Sequence, residues 1–276
     1  MIVSTATPTK TIMSVGRSNI GRIGLGTYKL GNKTTFACLK ALEIGYRHID
    51  TASLYRNEKQ VAEAIEQSQI KREEIFVTSK IQVKDIKSGN LTAAVCRSLN
   101  NLKSIDLLLL HAPTENFIDV WKQMLEINQW QEIGEVGVSN FDVWHLRSLE
   151  LQQACNYVQL PKWNQIEVSP YLQRSNLVRY CQQNEIRIIA HSPLIKGRKL
   201  LDNTLQSLAQ SINISPSQLL IAWSLAKGYI VVPRSSQPIH LQENFDAIEV
   251  KLPENVIDKL NCLEEGYATH SQHIIN

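Results

Sequence analysis

At 276 residues, with 43% hydrophobic and 20% charged side chains, the chain has the composition of a globular protein with a sizeable core. Its net charge of +3 at pH 7 is small and dispersed, which argues against a protein that binds nucleic acid. No stretch has the length and apolar character of a membrane span, and residues 1–11 lack the apolar core of a signal peptide. We therefore expect a cytoplasmic protein that has neither nucleic acid nor a membrane as its partner.

The cysteines are odd in number and far apart in the chain, at positions 38, 96, 155, 181 and 262. This spacing suits neither a zinc site nor a disulfide framework, and it favours reduced thiols in the cytosol. The histidines are equally dispersed and offer no set of metal ligands. We therefore expect that the protein needs no metal.

Eight short segments rich in apolar and β-branched residues alternate with longer amphipathic segments along the chain. The predicted strands are residues 23–28, 48–52, 76–81, 105–112, 135–140, 163–169, 187–193 and 230–234. The predicted helices are residues 34–42, 58–67, 91–102, 118–128, 143–153, 175–184, 216–225 and 241–247. This alternation predicts a parallel α/β sheet covered by helices, and the eight repeats favour one domain, residues 1–276, closed into a (β/α)8 TIM barrel.

Two segments lie outside the eightfold pattern. Residues 12–20 contain turn residues and resemble a hairpin that plugs the N-terminal end of the barrel. An extra C-terminal helix is expected to begin near Pro253, because proline suits the first turn of a helix. The tail from residue 265 to residue 276 is expected to be a loop.

Polar and charged residues stand at or near the C-terminal ends of the predicted strands, where barrels of this type carry their chemistry. These residues are Asp50, Lys80, His111, Asn140, Gln165, His191 and Arg234. Taken singly, each has an ordinary structural role, such as a cap, a solvated charge or a packed core residue. Their shared placement favours a functional site.

Tyr55, just after the second predicted strand, is the candidate proton donor of this site. A phenol has a pKa of about 10, and the ammonium of Lys80 would lower it, while the Asp50 carboxylate would keep that ammonium charged and aimed. The imidazole of His111 could donate a hydrogen bond to a carbonyl oxygen and stabilise its developing negative charge. Together these groups are suited to the reduction of a carbonyl.

From residues 24–28 to residues 243–245, the sequence resembles the aldo-keto reductases. Residues 45–58 resemble the first signature of that family, with Asp50 and Tyr55 at its catalytic positions. Lys80 and His111 match the catalytic lysine and histidine. The resemblance implies a short-loop reductase that uses Tyr55 as general acid and NADPH as cofactor, with NADH possible at lower preference.

The resemblance also implies which residues bind the cofactor, without the glycine-rich dinucleotide fold. Those at the nicotinamide end and along the cofactor are Gly26, Thr27, Asp50, Ser139, Asn140, Gln165, His191, Ser192 and Leu194. Those at the adenosine end are Arg234, Ser235, His240, Glu243 and Asn244. The guanidinium fork of Arg234 suits a 2′-phosphate, and we expect it to be the only cation of its strand-end cluster.

The sequence departs from the family at two cofactor positions. His191 stands where an aromatic ring, usually tyrosine, stacks on the nicotinamide, and His240 stands where a second arginine is usual. A histidine carries little charge at neutral pH, so the preference for NADPH over NADH is expected to be reduced.

The residues expected to bind substrate are His111 and three positions that carry tryptophan in many relatives, namely Tyr28, Gln82 and Ala112. Loss of large aromatic surfaces opens space, so the substrate is expected to be wider or more polar than a simple aromatic aldehyde. The loops after Lys80 and Pro193 are short, which predicts an open site.

The predicted function is reduction of an aldehyde or ketone by a monomeric enzyme. A regulatory or structural barrel that binds the cofactor with little turnover is the alternative, since a fold alone does not establish activity. The intact quartet of Asp50, Tyr55, Lys80 and His111 favours the enzyme. A metal-dependent hydrolase would need carboxylate and histidine ligands clustered at strand ends, and the sequence offers none.

Overall fold

The computed structural model describes residues 20–154 and 158–269 of the chain. Its strands form one eight-stranded parallel sheet in which each strand pairs with the next one along the chain. The strands are β1 (Leu25–Gly26), β2 (His48–Asp50), β3 (Phe76–Ile81), β4 (Ile105–Leu110), β5 (Ile133–Ser139), β6 (Trp163–Glu167), β7 (Arg187–His191) and β8 (Ile230–Val232). All eight were predicted, although every strand except β3 and β5 is shorter than expected, β1 most of all, and β5 begins at Ile133 rather than at residue 135.

Helices connect the strands and cover the outside of the sheet. They are α1 (Thr34–Ile44), α2 (Glu58–Gln67), α3 (Val83–Lys87), α4 (Leu91–Leu102), α5 (Phe117–Ile127), α6 (Val143–Ala154), α7 (Ser175–Gln183), α8 (Asn203–Ser211), α9 (Pro216–Ala226), α10 (Pro238–Asp246) and α11 (Glu254–Asn261). The sequence prediction missed α3 and α8. It placed the start of α10 at Leu241, whereas Pro238 begins the helix, as proline's fixed φ allows.

The sheet closes between β1 and β8. The amide of Gly24 donates to the carbonyl oxygen of Val231 at 2.8 Å, and the amide of Gly26 donates to Pro233 at 2.9 Å. A Cβ atom on Gly26 would lie 2.8 Å from the carbonyl oxygen of Val232, so glycine is needed for this close approach. These contacts confirm the predicted (β/α)8 barrel.

The core has two layers, one inside the barrel and one between the sheet and the helices. Strand β4 shows how one sequence supplies both, because alternate side chains point to opposite faces. Leu107 and Leu109 join the inner cluster, whereas Leu108 and Leu110 join the larger outer cluster. This explains why the strand is nearly continuous in apolar residues.

The predicted C-terminal helix is present as α11, with Pro253 as its N-cap. Residues 265–269 contain neither helix nor strand, as expected for the tail. The predicted hairpin of residues 12–20 lies outside the described residues, apart from the buried Ile20. Within the described ranges, the helices are too short or too polar to cross a membrane.

Candidate active site

The four predicted catalytic residues meet at the C-terminal end of the barrel. Asp50 is the last residue of β2, Lys80 lies near the end of β3, and His111 follows β4 directly. Tyr55 belongs to a 3-10 turn, Ser53–Tyr55, that follows β2. Neighbouring parallel strands end at the same edge, so their terminal side chains lie side by side.

Asp50 and Lys80 form a buried ion pair. Nζ of Lys80 lies 2.5 Å from Oδ1 of Asp50 and also donates to the carbonyl oxygen of Thr51 at 2.9 Å. The Lys80 side chain is 1% exposed, and burial lowers the pKa of its ammonium while Asp50 opposes that fall. Oδ2 of Asp50 accepts a 2.6 Å hydrogen bond from the side-chain amide of Gln165. Both carboxylate oxygens are therefore paired.

Tyr55 is half-buried among aromatic rings and close to the buried ion pair. Its ring centroid lies 5.0 Å from that of Tyr28 and 5.7 Å from that of His111, and Nζ of Lys80 lies 5.2 Å from it. Burial and then the negative charge of Asp50 raise the pKa of the Tyr55 phenol well above 10. The direction is opposite to the expected one, because burial and the negative charge of Asp50 dominate the shift. The phenol therefore keeps its proton, as a proton donor must.

The backbone around Tyr55 is held by side-chain hydrogen bonds. The Ser53 hydroxyl donates to the carbonyl oxygen of Lys80 at 3.0 Å and accepts from the amide of Gln82 at 3.2 Å. This bridge ties the Tyr55 turn to the end of β3. Arg56 has a left-handed φ of 56°, which redirects the chain into α2.

Asn57 is a buried anchor that the sequence analysis missed. Its side-chain amide donates to the carbonyl oxygen of Thr27 at 2.9 Å and to Oγ1 of Thr34 at 3.1 Å, and its oxygen accepts from Thr51 at 2.9 Å. It therefore connects the loop after β1 to the loop after β2. Its signal in the sequence was its place within residues 45–58.

The predicted carboxamide contacts lie together at the ends of β5, β6 and β7. The Ser139 hydroxyl donates to the carbonyl oxygen of Gln165 at 2.9 Å, and the Asn140 side chain donates to the carbonyl oxygen of His111 at 3.0 Å. Nε2 of His191 lies 3.0 Å from Oδ1 of Asn140, and since that oxygen only accepts, Nε2 carries the proton. The amide side chains match the donors and acceptor of a carboxamide, so these residues fit a nicotinamide.

Of the other residues predicted along the cofactor, Ser192 and Leu194 are half-buried and follow β7. Gly26 and Thr27 are buried, and the Thr27 hydroxyl donates to the carbonyl oxygen of Asp50 at 3.1 Å. Glycine at position 26 is therefore explained by barrel closure, and threonine at position 27 by its hydrogen bond to the backbone of Asp50.

Of the residues predicted to bind the adenosine end of the cofactor, Arg234, Ser235 and His240 line a cavity of about 420 Å³. Lys29 and Lys33, in the loop after β1, line the same cavity. The expectation that Arg234 is the only cation here is therefore wrong, because it considered one strand end and ignored its neighbour. In a closed barrel β1 adjoins β8, so the two loops could have been paired from the sequence.

Glu243 and Asn244, also predicted for this end, lie further along α10. Glu243 is half-buried, and Asn244 is buried at 2% exposure. Neither contributes to the lining of the cavity.

Two of the four predicted substrate residues, Tyr28 and His111, pack against the Tyr55 ring. Tyr28, Gln82, His111 and Ala112 are all half-buried. The side chain of Gln82 donates to Oδ2 of Asp85 at 2.9 Å, which fixes its amide. Leu54, which the sequence analysis missed, adds an apolar surface that is 50% exposed beside Tyr55.

Within residues 20–154 and 158–269, the histidine, cysteine and carboxylate side chains form no group of three that could hold a metal ion.

Comparison with known proteins identifies the family. The model of the aldo/keto reductase family matches residues 22–265. The chain belongs to the aldo/keto reductase family. Aldo/keto reductases use nicotinamide cofactors, which fits the amide cluster at the ends of β5, β6 and β7. This membership confirms the resemblance seen in the sequence, and the chain is an oxidoreductase that reduces carbonyl compounds.

Characterised relatives of this aldo/keto reductase are similar over most of their length. The 9,11-endoperoxide prostaglandin H2 reductase of Trypanosoma cruzi is 36% identical, with 88% of each chain covered. The methylglyoxal reductase of Escherichia coli is 33% identical, covering 89% of this chain and 90% of the relative. The glyoxal reductase of Bacillus subtilis is 34% identical, with 88% of each covered.

A solved structure is similar to this chain in both sequence and fold. The crystal structure of an aldo-keto reductase from a Medee basin deep-sea metagenome library is 33% identical, with a TM-score of 0.82 over 91% of this chain and 93% of that one. These comparisons support the reductase and give no support to a regulatory or structural subunit.

Proposed function

We propose that the protein reduces an aldehyde or ketone to an alcohol with NADPH, and that Asp50, Tyr55, Lys80 and His111 are its catalytic residues. The cofactor supplies hydride to the carbonyl carbon. The observation that carries the proposal is that the Tyr55 ring lies close both to the His111 ring and to Nζ of Lys80, which forms a buried ion pair with Asp50. Such a phenol can give its proton to the carbonyl oxygen.

The other residues of the quartet act on that proton transfer. The ammonium of Lys80, 5.2 Å from the centre of the Tyr55 ring, would stabilise the phenolate left by proton transfer, and Asp50 opposes the fall in the pKa of Lys80 that burial causes. His111 is placed to donate a hydrogen bond to the carbonyl oxygen, which stabilises its developing negative charge. Ser139, Asn140 and Gln165 would hold the carboxamide, and His191 would face the nicotinamide ring.

A panel of carbonyl compounds tests this function. The purified protein should oxidise NADPH, followed by absorbance, in the presence of some members of a panel of dicarbonyls, aliphatic aldehydes and aromatic aldehydes. Methylglyoxal and glyoxal belong in the panel because they name the activities of two relatives. A protein that binds NADPH but turns over no member of a broad panel would contradict the proposal.

We also propose that the protein acts as a monomer in the cytoplasm. The described cysteines, Cys38, Cys96, Cys181 and Cys262, are free thiols, which suits a reducing compartment.

The first prediction concerns the choice of cofactor. Arg234 faces the cavity at the adenosine end, and a charge-assisted hydrogen bond to a phosphate contributes about 1.5–3 kcal/mol. Arg234→Ala is therefore expected to reduce the preference for NADPH over NADH by about ten- to a hundredfold, mostly by weakening NADPH binding. Fluorescence titration of both cofactors measures the ratio of the two Kd values. Arg147→Ala, on an exposed face of α6, is the control and should leave the ratio unchanged.

The second prediction concerns substrate size. Ala112→Trp adds a large ring at a half-buried position directly after His111, where we expect it to narrow the substrate site. Burying such a surface against substrate contributes about 1.5–3 kcal/mol, so kcat/KM for small aromatic aldehydes should rise about tenfold or more, and bulky substrates should lose activity. Ala93→Trp, on an exposed position of α4, adds the same ring away from the site. An unchanged order of substrates in Ala112→Trp would show that residue 112 does not contact substrate.

A further inference from the structure

The cavity at the adenosine end is basic on two sides. Arg234 and His240 lie on the segment that follows β8, whereas Lys29 and Lys33 lie on the loop that follows β1. None of the described residues that line the cavity is acidic. A concave surface with four basic groups and without a carboxylate attracts anions.

Both lysines line the cavity, and Lys29 also contacts an aromatic ring of the active site. Nζ of Lys29 lies 5.4 Å from the centroid of the Tyr28 ring, beside the catalytic residues. Lys33 comes four residues later, at the end of the turn Gly31–Lys33, and lines the cavity with Arg234.

A 3-10 turn and side-chain hydrogen bonds fix the conformation of the loop that carries Lys33. Residues Gly31–Lys33 form a 3-10 turn, and Gly31 has a left-handed φ of 55°, where a Cβ atom would be strained. The Thr34 hydroxyl donates to the carbonyl oxygen of Gly31 at 2.8 Å, and Asn57 donates to that same hydroxyl at 3.1 Å. The buried anchor under the active site therefore also positions the turn that bears Lys33.

We infer that Lys33 is a specificity-determining residue that binds the 2′-phosphate of NADPH together with Arg234. The inference rests on the proposed function. Two cations on different loops that line one cavity, Lys33 and Arg234, can both pair with a dianionic phosphate. Arg234 is therefore not the only charged contact of the 2′-phosphate, although position 240 carries a histidine instead of the usual second arginine. The preference for NADPH is consequently stronger than the sequence departures alone predict.

The test uses adenosine 2′,5′-bisphosphate and AMP, which differ only in the 2′-phosphate, as probes in calorimetric titrations. Lys33→Met should weaken binding of the bisphosphate about three- to tenfold, because an ion pair that is exposed or only partly enclosed contributes little free energy. It should change AMP binding by less than about twofold. Lys33→Arg should retain most of the affinity. Lys59→Met, which removes the same charge from an exposed position on α2, should change neither probe.

The outcomes separate this inference from the proposed function. If the parent protein binds the two probes equally, or binds neither, the NADPH assignment itself fails. If the parent prefers the bisphosphate but Lys33→Met keeps the full preference, only the role of Lys33 is overturned. An equal loss for both probes in Lys33→Met would also overturn it, because the lysine would then act through the shared part of the ligand.

Discussion

Tyr55→Phe is expected to lower kcat for carbonyl reduction by about a hundred- to ten-thousand-fold, because it removes the proton donor and keeps the ring. The contacts of that ring with Tyr28 and His111 should remain, so Kd for NADPH should stay within about twofold of the parent value. Steady-state kinetics and a fluorescence titration measure the two quantities on the same preparation.

Tyr180→Phe is the matched control for this prediction. It also deletes one phenolic hydroxyl, but that hydroxyl donates to Glu150 at 2.7 Å, between the outer helices α6 and α7. Its kcat should equal that of the parent. Activity of Tyr55→Phe within a few-fold of this control would eliminate Tyr55 as the acid.

The pH dependence of the parent follows from the same residue. Reduction requires the protonated phenol, so the rate falls as pH rises through the pKa of Tyr55. Since burial and Asp50 raise that pKa well above 10, this alkaline limb should lie above pH 10. The residual activity of Tyr55→Phe should lack the limb.

The sequence predicted the barrel well because its signal is repeated. Each strand is a short apolar run bounded by polar residues, and eight such runs in strict alternation with helices leave few other arrangements. Helix α3 lies between β3 and β4, and helix α8 lies between β7 and β8, each in a connection that already contains another helix. No additional strand therefore indicated their presence. Their presence depends on local packing rather than on the repeating pattern.

The sequence predicted the site residues that lie at strand ends. It predicted less well the properties that depend on an adjacent loop or on burial in the folded protein. Asp50, Lys80 and His111 follow from their positions on adjacent strands. The phosphate-binding role inferred for Lys33 depends on closure of the barrel between β1 and β8, which brings together residues about 200 positions apart in the chain. The net pKa direction of Tyr55 was also missed, because burial is a property of the folded site.

Lys80→Met should reduce kcat by at least about a hundredfold and should also destabilise the protein. Removing one partner of a buried ion pair typically costs about 3–5 kcal/mol, because the remaining charge is uncompensated. Here that charge is the Asp50 carboxylate, which is buried and would keep only the hydrogen bond from Gln165. Urea unfolding and kcat should therefore both change, whereas Lys59→Met, with the same loss of charge on α2, should change neither.

The double variant Asp50→Asn with Lys80→Met separates the structural role of Lys80 from its catalytic role. The side-chain amide introduced at position 50 would be neutral and could still accept from Gln165, so the double variant should recover about 1–3 kcal/mol relative to Lys80→Met alone. Its kcat should remain as low as that of the single variant, because the ammonium near the Tyr55 ring is still missing. Recovery of both stability and the parental kcat would show that Lys80 only compensates Asp50 and does not act on the proton donor.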